Sequence, residues 1–135
     1  MRLDHVQLAA PPGCEEAARA FYGGLLGLPE LPKPEPMRAS GGAWFSLGAQ
    51  ELHVGVVAEG FRPAAKAHPG LAVDGDAELD ALAARLQEAG APVEWDDRHP
   101  GVRRFYTADP WGNRVELLAS LAGAAPGEDA ERPER

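Results

Sequence analysis

Leu3-Asp4-His5-Val6-Gln7-Leu8 alternates apolar and polar side chains, the period-two pattern of a strand with one face buried. Pro11-Pro12-Gly13 ends it. Ala18, Phe21, Tyr22 and Leu25 then recur at helical spacing, and Gly27 closes the predicted helix. Leu28 to Gly42 is rich in Pro and Gly and predicts a loop, with a short strand near Met37-Arg38-Ala39. Ala43 to Leu47 and Glu51 to Val57 predict a hairpin that turns at Gly48-Ala49-Gln50.

After Ala58 to Ala67, which reads as a linker, the pattern restarts. His68 to Val73 predicts a strand, and Leu79, Leu82, Ala83 and Leu86 form a helical stripe that Gly90 stops. Pro92 to Trp95 predicts a short strand. Val102 to Thr107 and Asn113 to Ala119 predict a second hairpin through Asp109-Pro110-Trp111-Gly112. A shift of 63 residues lays one half over the other: His5 falls on His68, Gly27 on Gly90, Pro29 on Pro92 and His53 on Glu116. Self-similarity at that period means two copies of one supersecondary unit, neither able to bury a core alone. The expected fold is α+β: two tandem βαβββ modules forming an open, incomplete β-barrel trough with helices outside. A single domain is expected over residues 1–122, with module one at about 1–57 and module two at about 68–120. Residues 123–135 are expected to be a disordered acidic tail.

Composition narrows the function classes. A net charge of −8 argues against a nucleic-acid or anionic-membrane surface, which requires a basic stripe. Cys14 is the only cysteine, so no internal disulfide forms, and a reducing cytoplasm is expected. No apolar stretch long enough for a signal peptide or membrane helix follows the first residues.

Strand parity locates the candidate chemistry. Leu52, Val54 and Val56 define an apolar face, so Glu51 and His53 share the other; Val115 and Leu117 likewise oppose Glu116. Val6 and Leu8 oppose His5, and Leu71 and Val73 oppose His68. Three imidazoles and one carboxylate on the face turned away from the helices suit a divalent transition metal, with Zn, Fe(II), Ni, Co and Mn all compatible. His5, His53, His68 and Glu116 are therefore the expected metal ligands. Glu51, two residues before His53, is an alternative ligand or a base. Trp44, Arg104 and Tyr106 are candidates to line a substrate pocket, and Arg103 and Arg104 to meet an anion. His99 has no partner in the pattern and reads as surface.

The chain resembles the vicinal oxygen chelate superfamily: the glyoxalase, bleomycin-resistance and extradiol dioxygenase group. The resemblance rests on Asp4-His5-Val6, on Phe21-Tyr22 through Leu25-Leu26-Gly27-Leu28, on Ala67-His68-Pro69, and most specifically on Asp109-Pro110-Trp111-Gly112-Asn113-Arg114-Val115-Glu116-Leu117. It covers about Leu3 to Ala119. It implies a metal between the two modules, held by residues of the first and last strand of each, which by position are His5, His53, His68 and Glu116. Glyoxalase I usually carries a glutamate where His53 stands. Extradiol dioxygenases are similar in using two histidines and a glutamate, matching His5, His68 and Glu116, but are generally longer. Bleomycin-binding members lack the metal and hold the drug in a dimer groove.

The resemblance implies a metalloenzyme chelating a small oxygen-rich substrate, by isomerase, lyase or dioxygenase chemistry, with Glu116 or Glu51 moving the proton. The alternative is a metal-free drug-binding resistance protein of the same fold. A small-molecule ligand and a homodimer are expected, with no nucleic acid or membrane partner. The sequence leaves open the substrate, and whether the modules pair within one chain or across two.

Overall fold

The structure, a computed structural model, describes residues 1–120. Strand β1 (His5–Ala10) is joined to a helical segment, α1 (Glu15–Ala18), which continues without a break as a wider π-helical stretch over Arg19–Leu25. β2 (Glu30–Leu31), a 3₁₀ turn (Glu35–Ser40), β3 (Ala43–Leu47) and β4 (Gln50–Val56) complete module one. β5 (Gly70–Ala72), α2 (Asp76–Glu88), β6 (Glu94–Asp96), β7 (Val102–Ala108) and β8 (Arg114–Ser120) repeat the order. Each module is a four-stranded mixed sheet, ordered β1-β4-β3-β2 and β5-β8-β7-β6, and neither closes into a barrel. The first strand of each runs parallel to the last, which the intervening helix makes possible.

One core serves both modules. Phe21, Tyr22 and Phe45 of module one and Leu79, Leu86, Phe105, Val115 and Leu117 of module two are nearly or fully buried in a single cluster. The strands turn Leu52, Val54, Phe105 and Leu117 toward the helices, and the alternate residues face the other way, as parity requires. Gly23 lies against the Phe45 ring, so the helix approaches β3 closely where it carries no side chain.

Two expectations are corrected. The strand near Met37-Arg38-Ala39 is instead the 3₁₀ turn; Pro34 and Pro36 remove donors there, and the second strand lies earlier, at Glu30–Leu31. The strand expected over His68 to Val73 is confined to Gly70–Ala72, so His68 stands on the segment leading into it. The tail expected over residues 123–135 lies outside the described residues. Among those described, no helix is long and apolar enough to cross a membrane.

The Asp109-Pro110-Trp111-Gly112-Asn113 loop locks the modules together. Asp109 Oδ1 accepts the backbone N–H of Trp111 (3.0 Å) and of Asn113 (2.8 Å). Its Oδ2 accepts the Tyr22 hydroxyl (2.7 Å) and the Asn113 side-chain amide (2.8 Å), and that amide also donates to the Ala9 carbonyl of β1 (2.7 Å). All of Asp109's donors are thus supplied by its own loop and by module one's helix.

Candidate metal and substrate trough

The faces turned away from the helices carry corresponding rows of side chains. In module one, register pairs His5 with Glu51 and Glu51 with Ser46, then Gln7 with His53 and His53 with Trp44. In module two, Gly70 pairs with Glu116 and Glu116 with Tyr106, while Arg114 pairs with Ala108. His53 and Glu116 occupy the same place in their modules, Trp44 matches Tyr106, and Glu51 matches Arg114. Gly55 leaves room for Gln7, whose amide lies 2.7 Å from where a β-carbon would sit.

In module one the His53 ring is sandwiched. Trp44 stacks on it at 3.9 Å with planes 2° apart, and His5 stacks at 4.4 Å and 16°. That leaves His53 only 6% exposed, although it stands on the trough face. Its Nε2 contacts Glu51 Oε1 at 2.9 Å; the carboxylate accepts, so Nε2 carries the proton. His5 Nδ1 lies 2.9 Å from Asp4 Oδ2, which by the same reasoning leaves Nε2 as its lone-pair nitrogen.

In module two, His68 Nδ1 lies 2.8 Å from the Lys66 carbonyl, which can only accept. The proton is therefore on Nδ1, and Nε2 faces Glu116 Oε1 at 3.4 Å. The same Glu116 oxygen takes Arg104 at 3.3 Å, and Arg104 reaches Asp96 Oδ1, also at 3.3 Å. Asp96 is held well below the usual carboxylate range, first by its side-chain bond to Arg98 and then by the Arg98 backbone N–H. Tyr106 meets the His68 ring edge-on at 5.4 Å, and its phenol is pushed up by burial and by Glu116.

The sequence-predicted residues thus fall into two sets. His5, Glu51, His53 and Trp44 cluster in module one; His68, Glu116, Arg104 and Tyr106 cluster in module two. Among the described residues of one chain, no group of three or more His, Cys, Asp or Glu side chains stands close enough to hold a metal ion. His99 lies on an exposed loop. Arg103 turns to the opposite face, where it pairs with Asp80 at 2.7 Å and covers the Trp95 ring at 4.3 Å. Sequence reasoning passed over Arg114 and Asp96. Parity with Glu116 and the 63-residue register with Glu51 both pointed to Arg114.

The profile of the Glyoxalase/Bleomycin resistance protein/Dioxygenase superfamily matches residues 2–117. The chain belongs to that superfamily. A solved protein of Bacillus anthracis assigned to the glyoxalase family is 47% identical, with a TM-score of 0.82 over 89% of this chain and 95% of that one. Lactoylglutathione lyase from Agrobacterium tumefaciens is 27% identical, with a TM-score of 0.66 over 87% and 92%. A genomically encoded fosfomycin resistance protein from Listeria monocytogenes, 17% identical with a TM-score of 0.71 over 90% and 95%, shares the fold. Among curated proteins none matches.

Proposed function

We propose that this protein is a metal-dependent enzyme of its superfamily that chelates a small oxygen-rich substrate, with isomerase, lyase or dioxygenase chemistry. The observation that carries the reading is the donor set of module two. His68 gives its Nδ1 proton to a backbone carbonyl, so its Nε2 lone pair and a Glu116 carboxylate oxygen face each other at 3.4 Å. A cation between them, either a proton on Nε2 or a metal ion, satisfies both groups, and a carbonyl that fixes the Nδ1 proton is the usual support of a metal-bound histidine. His5, backed by Asp4, offers the same nitrogen from module one. These residues fit a divalent metal held by His5, His53, His68 and Glu116.

A divalent transition metal bound there, Zn, Ni, Fe(II), Co or Mn, supplies Lewis-acid polarisation of two adjacent substrate oxygens. Glu51 accepts a proton from the substrate, held in place by the His53 Nε2–H at 2.9 Å and reachable because its side chain is 41% exposed. Glu116, as ligand, is the second carboxylate able to move a proton. Trp44, Arg104 and Tyr106 line the substrate side. Because the donors of one chain stay in two sets, we assign the complete site to a homodimer in which module one of one copy faces module two of the other. The expected compartment is the cytoplasm.

The separation of the two sets also favours a second reading: a metal-free cleft that sequesters a small molecule. Elemental analysis of untagged protein beside a His5→Ala/Glu116→Ala double variant separates the two. About one metal per chain, lost in the variant, is the expected result. No metal after reconstitution with several divalent ions removes the enzyme reading and leaves the binding protein.

A further inference from the structure

The two halves of the trough match in backbone register but differ in charge. Where module one carries Glu51, module two carries Arg114 at the corresponding position of its last strand. The Arg114 guanidinium lies over the Tyr106 ring at 3.9 Å. Among the described residues no carboxylate lies within ion-pair distance of it. Arg104 stands on the same face, across the Tyr106–Glu116 row from Arg114 and 5.4 Å from the same ring. Its two contacts to Asp96 and Glu116 are both 3.3 Å, longer than the roughly 2.7–2.9 Å of a tight charge-assisted bond. Its Nε is buried with no partner at all, so the fork has donor capacity unused. A cavity of about 260 Å³ opens beside Arg114 and Tyr106, with Gly112 and Ala64 also in its lining; Arg104 lies outside it. Glu94 lines it too, exposed and out of ion-pair range of either arginine.

We infer that the module-two half of the trough is an anion subsite, in which Arg114, seated on Tyr106, takes the carboxylate or phosphonate end of the substrate. Planar guanidinium forks match both groups, and an aromatic face keeps Arg114 oriented without neutralising it. Module one presents the base Glu51 instead, so the trough is polarised: anion toward module two, proton-donating carbon toward module one. The inference rests on the proposed reading of the trough as a substrate site, and it narrows the substrate to small oxygen-rich acids.

Calorimetric titration with methylphosphonate and with acetate, on protein whose metal content is measured in the same preparation, tests it. Acetone, neutral and of similar size, is the control. We expect at least one of the anions to bind about tenfold more tightly than acetone. Arg114→Met should weaken that binding about tenfold and leave metal content unchanged, while Arg114→Lys should give an intermediate loss. Whichever probe binds more tightly identifies the anion class. Wild-type protein that carries metal yet binds neither anion better than acetone overturns the inference and leaves the metalloenzyme reading standing. Anion binding that Arg114→Met abolishes in protein carrying no metal has the opposite consequence: the subsite stands and the metal does not. Undiminished binding in Arg114→Met also overturns it, since the anion is then held elsewhere.

Discussion

The buried Tyr22–Asp109 bond shows how much one residue can hold. The hydroxyl donates over 2.7 Å to a carboxylate that has three other donors, so Asp109 stays well solvated by the protein when Tyr22 is truncated. Tyr22→Phe should therefore cost about 1.5–3 kcal/mol, the range of a hydrogen bond to a charged group, as read from urea midpoints. Burial, then Asp109, holds the Tyr22 phenol far above its ordinary value. A raised folded-state pKa contributes stability that is complete below the unfolded value, near 10, and is lost as pH rises beyond it. The wild type should thus lose stability faster than Tyr22→Phe between about pH 9 and about pH 11; parallel curves would remove the buried phenol from the balance. Thr107 is the opposite case. Its Oγ1 is buried without a partner, so Thr107→Val should raise stability by about 1 kcal/mol. The sequence marked Asp109 to Asn113 as a turn and as the most specific stretch, but not as a clasp. Its partner Tyr22 lies 87 positions away, and no local period reports that contact.

At the scale of elements, the strongly periodic segments were legible and the punctuated ones were not. Leu79, Leu82, Ala83 and Leu86 fall on the buried stripe of α2, and β3, β4, β7 and β8 lie within two residues of their expected ends. The first helix widens instead: the Leu26 N–H donates to Phe21 O and the Leu28 N–H to Tyr22 O, spacings that a 3.6-residue pattern does not contain. Residues 28–42 misled because four prolines and several polar residues erase any period, so the 3₁₀ turn resembled a weak strand. The entry to β3 depends on Gly42. With φ at +85°, a β-carbon there would come within 2.1 Å of the Val54 carbonyl oxygen, which is backbone and cannot step aside. Gly42→Ala should cost roughly 3 kcal/mol or more through strain and overpacking together. Gly55→Ala should be milder, since the clash is with the movable end of Gln7. Equal losses in the two variants, measured by thermal unfolding, would contradict that distinction.

Across the whole molecule, duplication supplies the same place twice, and divergence decides what each place does. The 63-residue shift predicted that His5 with His53 and His68 with Glu116 are equivalent pairs, and the registers of β1 with β4 and of β5 with β8 agree. Parity alone could not show that the pairs stay apart within a chain, because it reports a face and not the distance between two faces. If a homodimer joins module one of one copy to module two of the other, each site draws on both chains. His5→Ala then disables a site through one chain and His68→Ala through the other. Refolding the two variants together gives about half heterodimers by random pairing, each with one site missing both histidines and one site intact. Metal binding should return to about a quarter of the wild-type capacity, while either variant alone stays near zero. A site completed within each chain would instead leave the mixture as empty as its parents, because every site would still lack one histidine.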